Sequence, residues 1–83
     1  MNMQEIEDKL ITVIAAFSGA LPAEQITEMQ ELTKAGEPGV ALENLCTQLY
    51  EYDVVVAPES LCQIAAVGAA MSMDKSNWEQ LGK

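Results

Sequence analysis

Gly36-Glu37-Pro38-Gly39-Val40-Ala41-Leu42-Glu43-Asn44-Leu45-Cys46-Thr47-Gln48-Leu49-Tyr50-Glu51-Tyr52-Asp53-Val54 is the stretch that decides the fold. Gly36 accepts the left-handed backbone that ends a helix, and Pro38 lacks an amide hydrogen that a first-turn residue does not need. One helix therefore stops and another starts within a few residues. Leu42, Leu45, Leu49 and Tyr52 follow at helical spacing, with Ala41 and Cys46 beside them. Glu43, Asn44, Thr47 and Glu51 point away from that apolar face, and Tyr50 sits at its edge beside Glu43. Tyr52 is expected in the core with its hydroxyl reaching water. Tyr50, an aromatic among carboxylates, is expected to anchor an interface.

Upstream, Ile6, Leu10, Val13, Ile14 and Phe17 form the stripe of a first amphipathic helix, from about Met3 to Phe17, which Ser18-Gly19 ends. Pro22 opens a second helix as its first-turn proline, with Ile26, Met29, Leu32 and Thr33 turned inward. Glu24, Glu28 and Glu31 fall together on its opposite face, a row of like charges with only Lys34 near its end to offset it.

Downstream, Asp53-Val54-Val55-Val56-Ala57 has β-strand composition but no second strand to pair with, so it is an extended connector whose valines cap the core. Pro58 opens a fourth helix with its main stripe at Leu61, Ile64, Ala65, Gly68 and Met71. Ala66, Val67, Ala69 and Ala70 make it apolar nearly all round, the pattern of a helix buried in the bundle or at a subunit interface. Asp74 caps a short last helix, and its Trp78 closes the open end of the core. The architecture expected is all-α: a compact four-helix domain with a short fifth C-terminal helix, a single domain over residues 1–83.

Thirteen acids oppose four lysines, with no arginine and no histidine, giving a formal charge of −9. The imbalance is local: Glu24 to Glu59 holds eight acids and one lysine, net −7, while residues 60–83 are net neutral. Direct binding to nucleic acid or an anionic membrane needs basic surface and is not expected. A basic protein partner is, because opposed fields speed encounter and set orientation. The longest uncharged run, Ser60 to Met73, is fourteen residues and too short to span a bilayer. The N-terminal residues lack the basic and apolar regions of a signal peptide, so the chain is read as cytoplasmic. Cys46 and Cys62 are read as two buried free thiols.

The residues offer little chemistry. Without histidine, Cys–His and Ser–His nucleophiles and a zinc site drop out. Glu43 and Glu51 lie on a convex face with no water-excluding pocket to make them an acid–base pair. No loop has the Asp-rich form that calcium needs. No enzyme activity, cofactor or metal is expected.

The opening stretch resembles the signature of small immunity proteins of the MafI type, and Met73-Asp74, Trp78-Glu79 and Leu81 resemble the C-terminal end of that family. The likeness covers most of residues 30–81 and is weak in the first helix. Such proteins accompany polymorphic or contact-dependent-inhibition toxins, whose C-terminal domains are often nucleases, including EndoU-type RNases. The resemblance implies a cytoplasmic antitoxin that occludes the active site of a basic toxin domain. On that reading Tyr50 is the anchor, Glu43, Glu51 and Asp53 pair with toxin lysine or arginine, and Glu24, Glu28 and Glu31 steer the approach. A weak homodimer is compatible with this. The alternative is a small acidic adaptor or dimerisation module that uses the uncharged helix around Gly68. A lesser one is an acyl-carrier-like protein bearing its group on Ser60, although Glu59-Ser60-Leu61 lacks the usual aspartate and lies late in the chain.

Overall fold

A computed structural model describes residues 1–82 and contains four α-helices, α1 (Met3–Ala15), α2 (Ala23–Lys34), α3 (Pro38–Glu51) and α4 (Pro58–Ala70), followed by two 3₁₀ turns, Lys75–Asn77 and Glu79–Gly82. Helix α1 starts with a capping box: the Asn2 side chain accepts from the Glu5 amide at 2.9 Å, and the Glu5 carboxylate accepts from the Asn2 amide. Two of the orphan amides at the helix start are satisfied in this way. Ile6, Leu10, Val13 and Ile14 are buried as their spacing predicts. The helix ends two residues before Phe17, which is buried from the turn that follows, and Gly19 takes a φ of +92° there.

Pro22 is the cap of α2 rather than its first residue. Ile26, Met29 and Thr33 are buried on α2, and the Thr33 hydroxyl donates to the Met29 carbonyl at 2.9 Å, so this buried polar side chain is satisfied. The three residues Ala35–Glu37 turn the chain back, and α3 runs antiparallel against α2. Pro38 stands at the start of α3, and Ala41, Leu42, Leu45, Cys46 and Leu49 fill the centre of one continuous core. A radius of gyration of 11.3 Å is close to the roughly 12 Å expected for a globular chain of this length.

Helices α2, α3 and α4 end in the same way. At each C-terminus the residue after the cap is left-handed: Gly36 (φ +88°), Asp53 (φ +55°) and Ser72 (φ +58°). Each end closes the paired hydrogen bonds of a Schellman motif. The bonds are Glu37 N–H to Leu32 O and Gly36 N–H to Thr33 O after α2, Val54 N–H to Leu49 O and Asp53 N–H to Tyr50 O after α3, and Met73 N–H to Gly68 O and Ser72 N–H to Ala69 O after α4.

Three expectations need correction. Tyr52 is not in the core: α3 stops at Glu51, so Tyr52 is the C-cap, and it is 56% exposed. The valine connector covers the core only through Val54 and Val56; Val55, between them in extended backbone, is 92% exposed. Helix α4 is not buried all round. Ile64, Val67 and Gly68 face inward, whereas Cys62, Gln63, Ala66, Ala69 and Ala70 face out, so only Cys46 is a buried thiol. The short C-terminal helix is present as expected, in 3₁₀ form over two consecutive turns, and is capped by Asp74, whose carboxylate accepts from the Ser76 amide at 2.9 Å.

Trp78 and Leu81 are buried and close the core from this tail. The close approach depends on Gly68, since a Cβ there would overlap the six-membered ring of Trp78. No helix among the described residues is long and apolar enough to cross a membrane.

Candidate interaction surface

The acids of the central segment are all exposed, but the fold does not gather them at one point. Glu24, Glu28 and Glu31 line a shallow depression with Ala23 and Thr27 on the outer face of α2. Glu43 lies in a second depression at the start of α3, with Glu37, Pro38, Val40 and the incoming Met73. Tyr50, Glu51 and Asp53 are at the far end of α3. Glu43 and Tyr50 share a helix face, yet seven residues at 1.5 Å per residue separate them by about 10 Å along the axis. The candidate residues therefore occupy three places on the α2–α3 hairpin, which Gln48 ties together by donating to the Gln25 side-chain carbonyl at 2.9 Å. That bond leaves the other end of the Gln48 amide, its Oε1, buried without a partner among the described residues.

Among the described residues, the carboxylates that accept hydrogen bonds are those of Glu5, Asp8 and Asp74, all outside the acidic segment. Glu43 acts inward instead. Burial first and the nearby Glu43 charge second push the Cys46 thiol up to about 12, so this thiol stays protonated and unreactive at neutral pH. Among the described residues no three His, Cys, Asp or Glu side chains come together as a metal site.

The end of α3 differs from the rest of this surface. Helix carbonyls give a C-terminus partial negative charge, which lysine or arginine in the last turn stabilises. Helix α3 has no base there; it places Glu51 in the last turn and Asp53 just beyond. Tyr50, Glu51 and Tyr52 fan outward at about 100° steps, so the two phenol rings, 62% and 56% exposed, point to nearly opposite sides of the helix end. Val55 adds apolar surface after the turn.

Comparisons with family models, with curated proteins and with solved structures find no match to this chain.

Tyr52 and Val55 belong to this surface but were absent from the sequence-based set. The signal for Tyr52 lay in the chain. Three consecutive valines and Pro58 after Asp53 end the helix before its next inward position, leaving that tyrosine one residue beyond Glu51. For Val55 the signal was the alternation of an extended segment, which turns Val54 and Val56 one way and Val55 the other.

Proposed function

We propose that this chain is an immunity protein, an antitoxin that binds a basic toxin domain, of the EndoU-type RNase class, and blocks its active site. The observation that carries this reading is the end of α3, where two exposed tyrosines stand next to Glu51 in the chain and the last turn holds no base, in the most acidic part of the sequence. Core packing does not require these residues, and helix electrostatics disfavour them. A nuclease site is basic because it holds a phosphate backbone, so an acidic surface with aromatic anchors complements it. The likeness of residues 36–54 to MafI-type immunity proteins points the same way. Within this reading Tyr50 anchors, Glu43, Glu51 and Asp53 contact the toxin near it, and the α2 row of Glu24, Glu28 and Glu31 steers the encounter at a distance.

The test is co-expression in a bacterial host with the C-terminal domain encoded by the reading frame immediately upstream. Growth restored by this chain, and nuclease activity lost when the purified proteins are mixed, are the expected results. An upstream product that is harmless, or whose toxicity is unaffected, overturns the reading.

A second reading, a self-associating adaptor, draws on the outward face of α4, where Cys62, Ala66, Ala69 and Ala70 present small side chains without charge. A groove of about 310 Å³ between α1 and α4, lined by Met1, Lys9, Val13 and Ala66 among others, adjoins that face. Sedimentation separates the two: a tight dimer that an Ala66→Glu substitution dissociates favours the adaptor.

A further inference from the structure

We infer that the groove between α1 and α4 is a binding site for a compact monocarboxylate with an apolar tail, of the size of a medium-chain fatty acid. None of its lining residues belongs to the acidic α2–α3 hairpin, so the inference holds whether or not the chain is an immunity protein.

Three features converge on that ligand. The first is size. The groove holds about 310 Å³, at the lower end of the range of about 300–1,000 Å³ typical of small-molecule sites, so it suits a short chain rather than a large ring system. The second is an apolar floor. Val13 and Val67 line the groove and are 2% and 1% exposed, and Ala66 and Met1 add apolar wall. An alkyl tail laid there removes apolar surface from water on both partners. The third is charge. Lys9 lines the α1 side and Gln63 the α4 side, and no acid is among the lining residues. The acids nearest Lys9 in the chain are engaged along their own helix: the Glu5 carboxylate accepts from the Asn2 amide, and the Asp8 carboxylate from the Gln4 side chain. Thr12 also lines the groove, but its hydroxyl donates to the Asp8 carbonyl at 3.0 Å. The side-chain donors left for a ligand are therefore the Lys9 ammonium and the Gln63 carboxamide. A carboxylate has two acceptor oxygens and no donor, which matches that pair.

The two depressions on α2 and α3 have the opposite character. Glu24, Glu28 and Glu31 line one, and Glu37 and Glu43 line the other, with no base in either. A single negative charge is also what this molecule repels least among anions, since the field of a chain at −9 opposes a dianion more strongly. One exposed ammonium gives a weak ion pair in water, so the affinity has to come from the tail and the charge sets which head group is chosen.

The experiment is an amide NMR titration of the full chain with octanoate, with 1-octanol as the tail without the charge and propionate as the charge without the tail. Octanoate is expected to give saturable shifts centred on residues 9–13 and 63–67. It should bind about threefold or more tightly than octanol and about tenfold or more tightly than propionate. Lys9→Gln is expected to bring octanoate down to the level of octanol and leave octanol unchanged. Ala66→Phe, which fills the groove, is expected to weaken both by about tenfold. Both positions are exposed, and an unchanged thermal midpoint verifies the fold; Lys9→Gln keeps the test decisive if Ala66→Phe unfolds. No saturable shift at millimolar octanoate, equal affinity for octanoate and octanol, or shifts centred outside α1 and α4 would each overturn the inference. So would shifts of the same residues on dilution without ligand, together with a dimer in sedimentation, because a second copy would then cover the groove.

Discussion

The C-termini of α2 and α3 are made with the same hydrogen bonds and for different ends. After α2 the left-handed residue is Gly36, which pays no Cβ penalty, and Lys34 in the last turn complements the helix dipole. After α3 the left-handed residue is Asp53, the last turn holds Glu51, and no base is present. Every local choice at the first end agrees with stability. At the second, two choices oppose it in consecutive turns, and the same few residues expose two tyrosines and a valine. Fold requirements explain Gly36 and Lys34 completely; they leave Glu51, Tyr52 and Asp53 unexplained. On the function proposed above, contact with another molecule accounts for the second set.

The two ends can be compared by substitution. The largest effect is expected beneath them, at the residues whose carbonyls close the Schellman motifs. Leu49 is fully buried and Leu32 only partly. Leu49→Ala should lower unfolding free energy by about 3 kcal/mol and Leu32→Ala by about half as much, read from urea midpoints. Equal losses would mean that the α3 end does not rest on the core as described.

Next come the left-handed residues. A Cβ at Gly36 meets no atom within 4 Å, so Gly36→Ala should cost only the conformational penalty, about 1 kcal/mol. Asp53→Gly relieves the same penalty and should stabilise by about 0.5 kcal/mol, an aspartate tolerating the left-handed region better than alanine does. Destabilisation by Asp53→Gly would show that its side chain has a structural role and would remove one of the two differences between the ends.

The dipole exchange is smaller still. Glu51→Lys should raise stability by about 0.5 kcal/mol and Lys34→Glu should lower it by a similar amount, both fading in high salt. Glu51→Lys should at the same time weaken partner binding, so stability and function would move in opposite directions at one residue.

The smallest effect sharpens the contrast between two aspartates. Asp74 caps a 3₁₀ turn, and the Ser76 amide holds its carboxyl below the ordinary 3.8. Its folded-state proton affinity is therefore lower than in the unfolded chain. The stabilisation is complete above that ordinary value and is lost as pH falls through the depressed one. Urea midpoints between pH 5 and pH 2 should fall less steeply for Asp74→Asn than for the wild type. A parallel fall would mean that the cap hydrogen bond contributes nothing in solution.

Helix identity was legible wherever apolar spacing and punctuation agreed: Ile6 to Ile14, Gly36 to Pro38, Leu42 to Leu49, and Pro58 onward. Burial was less legible where one residue type serves two purposes. Alanine suits both a buried face and an exposed helix surface, so the composition of α4 did not mark Ala66, Ala69 and Ala70 as exposed, and Cys62 followed the same ambiguity. Tyr52 failed for a different reason. Its spacing continued the apolar stripe, but phase decides burial only while the helix continues, and α3 ends at Glu51 with Tyr52 as its cap. For the surface, sequence located the charge on α2 and α3 but not its division into three places, because spacing along one helix does not report which depression each carboxylate lines. The departure from dipole complementarity at Glu51 was readable once the end of α3 was placed, and that placement depends on the turn at Asp53.

The seat that Gly68 provides for Trp78 also has an optical consequence. Trp78 is the only tryptophan, and Met73, at the start of the tail that carries it, packs beside Pro38 and Glu43 at the beginning of α3. The tyrosine corner is at the other end of that helix, about 18 Å from Pro38 and about 10 Å from Glu43 along its axis. Indole emission from this buried ring will therefore follow the docking of the tail and global unfolding. Emission and quenching of the two exposed phenols will follow what happens at the corner. The unlabelled chain thus supplies two separate fluorescence signals, one for integrity and one for occupancy.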